Sequence, residues 1–145
     1  ATLCNGLGRV GWAAVSDVAG FKPTFLALAF TQVAACLLYN TPLVQGSRPL
    51  FLALTCAFLA CMGGNFAMFP TACANTFGAK DGAAIYAVLF SAFGIASIAA
   101  VTLTKELQRK VGWTGVFRLF AGMSAAAAAL SCFYKPLPPR PVMRG

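Results

Sequence analysis

Very few side chains in this sequence could perform acid–base, nucleophilic or metal chemistry. There is no histidine, and the carboxylates Asp17, Asp81 and Glu106 lie far apart along the chain. The six cysteines include no C-x-x-C pair, and without histidine they cannot complete a mixed zinc site. The sequence therefore predicts no catalytic residue, no metal site and no cofactor, and it disfavours an enzyme.

The remaining candidates are neutral polar side chains that stand within long apolar runs. Asn65, Tyr86 and Ser91 are of this kind, and so is Gln32 earlier in the chain. A polar group inside a membrane either lines a pathway for a solute or forms a hydrogen bond to a neighbouring helix. Both roles stay open for the first three residues, whereas we expect Gln32 to form an interhelical hydrogen bond.

The composition of the chain excludes a water-soluble domain. The 145 residues are 59% hydrophobic and 10% charged, with a mean hydropathy of +0.77. A soluble domain has about 45–50% apolar and about 25% charged residues. The net charge of +8 comes from few basic residues, which lie mostly between apolar blocks. That distribution is typical of membrane flanks, so we predict the lipid bilayer as a partner and no nucleic acid.

The lengths of the charge-free runs predict how often the chain crosses the membrane. Crossing the hydrocarbon core takes about 20 helical residues. Long runs without a charged residue occur at 23–47, 49–79 and 82–104. A fourth run, 119–134, reaches spanning length if its helix begins near Trp113. The sequence thus predicts an all-α, polytopic transmembrane helix bundle with four complete spanning helices, at about 24–43, 50–76, 83–104 and 114–134.

The two ends of the chain differ from these spans. An apolar stretch at 1–16 is expected to be the end of another helix. Residues 135–145 contain four prolines and three basic residues, which predicts an extended basic tail. We therefore divide the chain into a transmembrane portion, 1–134, and a tail, 135–145.

The second predicted span contains residues that disfavour a regular helix, namely Gly63, Gly64 and Pro70. Glycine loosens a helix, and proline removes one backbone hydrogen bond. Interrupted helices are tolerated in a bilayer where neighbouring helices or a cavity satisfy the freed groups, and they occur at transport sites. We expect an interruption here, either at a transport site or as a kink that serves packing alone.

A short polar segment separates the stretch 1–16 from the first complete span. Its residues include Asp17, Gly20 and Lys22, followed by Pro23. Asp17 can cap backbone amides or pair with the positive end of a helix. Gly20 permits a turn, and Pro23 suits the first turn of the next helix.

This segment resembles the short loop motif of major facilitator superfamily transporters, roughly G-x-x-x-D-x-x-G-R-K. Asp17, Gly20 and Lys22 match the motif in register. The leading glycine, a common arginine and the penultimate basic residue are replaced by Ala13, Val18 and Phe21. These replacements favour the second, less well preserved copy of the motif, which lies between helices 8 and 9 of such transporters.

Two further blocks carry the same resemblance. Residues 63–80 resemble helix 10 of the oxalate/formate antiporter-like branch, which also resembles monocarboxylate porters, and residues 85–94 resemble its helix 11. Over about 5–134, the resemblance implies the end of helix 8 and helices 9 to 12 of a twelve-helix carrier. The tail 135–145 would then lie in the cytoplasm, and the missing N-terminal half of the same chain would be a partner.

The resemblance implies secondary active transport of a small organic solute, a carboxylate in particular, by alternating access. The residues that would line the substrate pathway are Asn65, Tyr86, Ser91 and Phe93. Oxalate-type members carry a lysine about where this chain has Phe93, so a dianion such as oxalate is disfavoured and a monocarboxylate fits better. Members of this family also carry a second cationic residue, in helix 8. Its counterpart would either precede residue 1 or correspond to Arg9.

The loop residues Asp17, Gly20 and Lys22 would form a conformational latch in such a carrier, and a plain helix cap is the alternative. Because the residues 1–145 lack the opposite wall of the pathway, we expect no uptake from them alone. A different function also stays open, namely a small four-helix membrane subunit or scaffold without transport activity. The sequence predicts a multi-pass integral membrane protein and leaves the plasma membrane and organelle membranes as alternatives.

Overall fold

Every element in the described part of the protein is a helix. The computed structural model describes residues 2–134, apart from the side chains of residues 79 and 80. The helices are α1 (Thr2–Ala19), α2 (Phe21–Leu38), α3 (Pro42–Gln45), α4 (Arg48–Phe77) and α5 (Ala79–Phe133). Residue 1 and the predicted tail, 135–145, lie outside the described residues.

Three of these helices are long and apolar enough to cross a membrane. They are α2, α4 and the part of α5 from Asp81 to Phe133. Large apolar side chains on α5 point away from the bundle, and Val88, Ile95 and Ile98 are each more than 70% exposed. The prediction of an all-α fold with membrane-spanning helices is confirmed, and α5 occupies the positions of the third and fourth predicted spans.

The connection expected between those two spans is almost absent. The sequence predicts a basic turn between about 104 and 114, yet residues 105–111 are helical. Lysine, arginine, glutamine and leucine are good helix formers, so a cluster of charges does not end a helix by itself. Within α5, only Gly112 has a non-helical backbone, with φ 69° and ψ −175°. Almost no residue other than glycine adopts this conformation.

The first complete span ends earlier than predicted, at Leu38 instead of near residue 43. A proline disfavours helical backbone in the residue before it. Accordingly Thr41, which precedes Pro42, is extended, with φ −84° and ψ 142°. The charge-free run alone could not predict where this helix ends, because the effect of the proline is local.

The first helix, in contrast, continues beyond its predicted end at residue 16. Ser16 and Asp17 lie within α1, which ends at Ala19. Gly20 makes the turn with φ 87°, and its amide donates a hydrogen bond to the carbonyl of Ser16 at 2.9 Å. The predicted roles of glycine and proline in this turn agree with that geometry, while Asp17 is a helix residue.

The interruption predicted in the second span is not present. α4 is helical throughout, with Pro70 inside it, and both Gly63 and Gly64 are buried. The two glycines face α1 and its side chains. A Cβ atom on Gly63 would collide with the carbonyl oxygen of Asn5, and one on Gly64 would lie 2.6 Å from Cδ1 of Trp12. The glycines therefore permit close helix packing, and α4 continues through Pro70.

α1 and α4 run parallel and in close contact. Gly8 lies against the backbone of Ala60, and one turn later Trp12 lies against Gly64. Asn5 Nδ2 also donates a hydrogen bond to the carbonyl of Leu59 at 3.3 Å. Small residues at such a contact let two backbones approach, which is the usual basis of helix association in lipid.

The buried core lies where α1, α2 and α4 meet. Its fully buried members are Leu28, Cys61 and Met68, and the partly buried residues packed on them are Trp12, Phe21 and Phe25. The final part of α5 packs on α2 in the opposite direction. The rings of Phe21 and Tyr134 are 5.9 Å apart at one end, and Asn40 donates to the carbonyl of Thr114 at 3.5 Å at the other.

Candidate functional site

A cavity of about 580 Å³ lies between α2, α4 and α5, with lining residues of α5 from before and after Gly112. Its lining comprises Phe25, Ala29, Gln32, Met62, Asn65, Phe66, Phe69, Tyr86, Leu89, Phe90, Phe93, Met123, Ser124 and Ala127. Most of these side chains are aromatic or aliphatic. The volume falls within the range of about 300–1,000 Å³ that is typical of small-molecule sites.

The cavity arises because two helices each turn one complete face towards it. On α4 this face consists of Met62, Asn65, Phe66 and Phe69. On α5 it consists of Tyr86, Leu89, Phe90 and Phe93. Both sets follow the spacing i, i+3, i+4, i+7, which places four side chains on one side of a helix.

The structure brings three of the four predicted pathway residues to this cavity. Asn65, Tyr86 and Phe93 all line it, whereas Ser91 does not. Ser91 is exposed, and its hydroxyl donates to the carbonyl of Ala87 at 2.9 Å. At about 100° per residue, Ser91 lies about 140° around the helix from Tyr86, so the two cannot face the same cavity.

The cavity wall contains a few neutral polar groups. The side-chain oxygen Oδ1 of Asn65 is buried and has no hydrogen-bond partner among residues 2–134. Gln32, for which an interhelical hydrogen bond is predicted, lines the cavity, and no such bond of its side chain occurs in the described part. None of the lining residues is charged in that part of the chain. A buried unpaired polar atom is costly unless a ligand or water satisfies it.

A positive charge lies against one of the lining residues, although the Arg9 side chain itself is exposed and is not part of the lining. The guanidinium of Arg9 is 5.3 Å from the centre of the Phe66 ring, and Phe66 lines the cavity. Arg9 Nε also donates a hydrogen bond to Oδ1 of Asn5 at 3.2 Å. The bond to Asn5 and the aromatic ring orient the guanidinium while leaving its other N–H groups available to an anion.

Aromatic rings form a continuous row along the cavity lining, and one of them, Phe66, contacts Arg9. Phe66 contacts Phe93 edge-on at 5.4 Å and Phe90 at 6.2 Å between ring centres. Phe90 continues the wall to Tyr86 at 5.8 Å. Sequence reasoning based on polarity alone missed Phe66 and Phe90, although the repeated aromatic spacing on one helical face could have identified them.

The loop residues occupy a separate position at the end of the bundle. The Lys22 ammonium donates hydrogen bonds to the carbonyls of Cys132 at 2.8 Å and Tyr134 at 3.1 Å. Cys132 lies in the last turn of α5 and Tyr134 directly follows the helix, so Lys22 closes the end of α5. Asp17 is exposed on α1 and has no hydrogen bond or ion pair within residues 2–134.

Among the described residues, no three cysteine or carboxylate side chains come close enough to hold a metal ion. The lining of the cavity offers an apolar and aromatic surface with a few amide and hydroxyl groups, and Arg9 contacts one of the lining residues.

Two curated proteins match the chain over nearly its whole length. The apicoplast pyruvate carrier of Toxoplasma gondii is 30% identical over 145 residues, or 99% of this chain. The oxalate:formate antiporter of Oxalobacter formigenes is 30% identical over 142 residues, or 98% of this chain. The chain is homologous to carboxylate transporters. This confirms the resemblance to the carboxylate-transporting branch of the major facilitator type.

The homology and the apolar helices together show a multi-pass integral membrane protein. Both relatives are transporters, which are not enzymes. The chain spans 26% of the length of the pyruvate carrier and 34% of that of the antiporter. No protein-family model matches the chain, and no solved structure does either.

Proposed function

We propose that this chain forms part of a secondary carrier that moves a small organic carboxylate across a membrane by alternating access. The observation that supports the proposal is the cavity, together with the contact between Arg9 and its lining residue Phe66. A carboxylate in a low-dielectric site needs a counter-charge, and Arg9 can supply it through N–H groups suited to carboxylate oxygens. The Nδ2 group of Asn65 can donate a further hydrogen bond to the solute, while the buried Oδ1 can accept one.

We further propose that α5 crosses the membrane twice, which gives four complete spans. Gly112 divides α5 into residues 79–111 and 113–133. At 1.5 Å per residue these parts measure about 50 Å and about 32 Å, and each exceeds a hydrocarbon core of about 30 Å. The antiparallel packing of residues 113–133 on α2 supports this reversal. In the same scheme α1 is the last part of a preceding helix.

The rest of the carrier would form the opposite wall of the cavity. This proposal draws support from the relatives, since about two thirds or more of each lies outside the region that matches this chain. Residues 1–145 alone are then expected to take up no carboxylate. Residues 135–145 would form a cytoplasmic tail.

For the loop motif we propose a latch in which Asp17 and Lys22 have different roles. Lys22 fixes the end of α5 to the start of α2 through its two hydrogen bonds. Asp17 is exposed on the neighbouring helix and would pair with a part of the carrier outside this chain. Gly20 sets the angle between the two helices.

The test is uptake of radiolabelled pyruvate, formate and oxalate by the whole protein in proteoliposomes. Arg9→Gln should lower kcat/KM for the transported carboxylate by at least about tenfold, because charged hydrogen bonds contribute about 1.5–3 kcal/mol. Asn65→Ala should raise KM to a smaller extent. Arg109→Gln is the matched control, since Arg109 is exposed, remote from the cavity lining and paired only with Glu106 in the described part, at 3.8 Å.

If Arg9→Gln and Arg109→Gln change saturable uptake to the same extent, the proposed role of Arg9 is wrong. Absence of uptake for every carboxylate would reject the transport function and favour a subunit or scaffold.

A further inference from the structure

We propose that Cys4 of α1 and Cys56 of α4 form a modification site, at which a peroxide oxidises the two thiols to a disulfide that links the helices. The proposal does not depend on the transport function, because it concerns only the contact between α1 and α4. Three observations support it: the position of the two residues in the helix contact, the contact between their thiols, and their exposure.

The two cysteines lie at the same level of the contact between α1 and α4. Within this contact, Gly8 lies against the backbone of Ala60. Cys4 precedes Gly8 by four residues, and Cys56 precedes Ala60 by four residues, which is about one helical turn in each case. Because the two helices are parallel, the cysteines lie opposite each other, one turn before the Gly8–Ala60 pair.

The two backbones are close enough here for a disulfide. A Cβ atom on Gly8 would lie 2.5 Å from Cα of Ala60. Because a Cα–Cβ bond measures about 1.5 Å, the Cα atoms of these two residues are at most about 4 Å apart. Over one turn, a crossing angle of up to about 40° adds about 4 Å at right angles to that separation, so the Cα atoms of the two cysteines are about 5–6 Å apart. A disulfide joins Cα atoms that are about 4.4–6.8 Å apart.

The side chains of the two cysteines also point towards each other. The thiols of Cys4 and Cys56 contact each other across the interface. Both residues are free and partly buried, whereas Cys36, Cys61 and Cys73 are buried. A small oxidant can therefore reach the pair, and the second thiol is already in place when the first has reacted.

The oxidation takes place in two steps. One thiol attacks the O–O bond of a peroxide, ROOH, which converts that thiol to a sulfenic acid and releases the alcohol ROH. The second thiol then attacks the sulfenic sulfur, so that the S–S bond forms and the hydroxyl group leaves as water. The two thiols lose two electrons in total, and the peroxide gains them. A dithiol reductant reverses the modification by thiol–disulfide exchange.

The experiment treats the whole protein in lipid nanodiscs with cumene hydroperoxide, a peroxide that dissolves in lipid. Free thiols are then blocked with N-ethylmaleimide, and the peptides are identified by mass spectrometry without reduction. The peptide pair that joins Cys4 to Cys56 should exceed every other cysteine-linked pair by at least about tenfold, because these thiols are already in contact. Oxidation should also raise the melting temperature by at least about 5 °C, because the bond closes a loop of about 50 residues in the unfolded chain. Dithiothreitol should reverse this rise.

Three single substitutions distinguish this pair from thiol oxidation in general. Cys4→Ser and Cys56→Ser should each abolish the linked peptide and the rise in melting temperature. Cys132→Ser is the matched control, because Cys132 is an exposed thiol in the last turn of α5, and it should preserve both effects.

The proposal is wrong if Cys4 and Cys56 both carry maleimide after treatment with the peroxide. A linked peptide that joins either residue to a different cysteine would also overturn it. So would a Cys4–Cys56 bond that leaves the melting temperature unchanged, because the bond would then not join the helices in their packed position. The mass of the linked peptide in the unchanged protein decides even if a variant fails to fold.

Discussion

The contact between α1 and α4 leads to a quantitative prediction for Gly8→Ala. An ideal Cβ atom at this position would lie 2.5 Å from Cα of Ala60 and 2.7 Å from its carbonyl carbon. Carbon atoms in favourable contact are about 3.5–4.0 Å apart, so the two helices would have to separate locally by about 1 Å. The obstructing atoms belong to the backbone, and no change of side-chain rotamer can move them.

The expected cost follows from two opposing terms. Overpacking a close contact costs about 1–3 kcal/mol. Alanine is favoured over glycine within a helix by about 1 kcal/mol, which offsets part of that cost. We therefore expect Gly8→Ala to lower the free energy of unfolding by up to about 2 kcal/mol.

Gly11 provides the matched control on the same helix. A Cβ atom at Gly11 would meet no atom within 4 Å, so Gly11→Ala should be neutral or stabilising by up to about 1 kcal/mol. The assay is reversible unfolding of the purified protein in mixed micelles, followed by circular dichroism. Equal stabilities of Gly8→Ala and Gly11→Ala would refute the close approach of the two backbones.

A second pair of variants separates backbone from side-chain obstruction. A Cβ atom at Gly64 would lie 2.6 Å from Trp12 Cδ1 and 2.8 Å from Leu28 Cδ1, both of which are side-chain atoms. The cost of Gly64→Ala should therefore be smaller in a protein that already carries Leu28→Ala, although Leu28→Ala destabilises the core by itself. The same truncation should leave the loss in Gly8→Ala unchanged, because it does not touch that contact.

Two other substitutions address the end of α5 and the glycine inside it. Lys22→Met should loosen the last turn of α5, because the carbonyls of Cys132 and Tyr134 lose their hydrogen-bond donor. Faster hydrogen exchange of the amides of residues 131–134 would show this loosening. Lys22→Arg is the conservative control. Unchanged exchange would mean that the helix end does not depend on this lysine. Gly112→Ala should lower the melting temperature, because the backbone conformation there costs a non-glycine residue about 1–3 kcal/mol. Gly94→Ala, with helical backbone and no atom within 4 Å of its Cβ position, should not lower it, and similar losses in both would contradict the explanation.

The spans were predictable because one strong physical effect determines them. Charged residues are costly within the hydrocarbon core, so charge-free runs of sufficient length indicate membrane helices. The ends of the helices depend on local backbone chemistry that the charge pattern does not contain. Thr41 is extended because a proline follows it, and residues 105–111 stay helical because their side chains favour a helix.

The candidate site was predictable in part, for a similar reason. Asn65 and Tyr86 are polar within apolar runs, which makes them visible in the sequence. Phe66 lines the same cavity but is indistinguishable by polarity from an ordinary membrane-facing phenylalanine. Gly63 was interpreted as a weak point of its helix, because its close neighbour, Asn5, belongs to another helix and could not be identified from local sequence.

The three glycine turns have a practical consequence for handling the protein. Gly20, Gly78 and Gly112 each reverse or redirect the chain with a single residue of positive φ. An epitope tag or a protease site inserted at any of them would push apart helices that are packed against each other. Within residues 2–134, the other long helices are joined through one residue, whereas α2 and α4 are joined through the segment 39–47, which contains the short helix α3. Within that segment Val44 is buried and Asn40 contacts Thr114, whereas Gln45 and Gly46 are exposed, so a tag for mapping membrane topology is best inserted at residues 45–46.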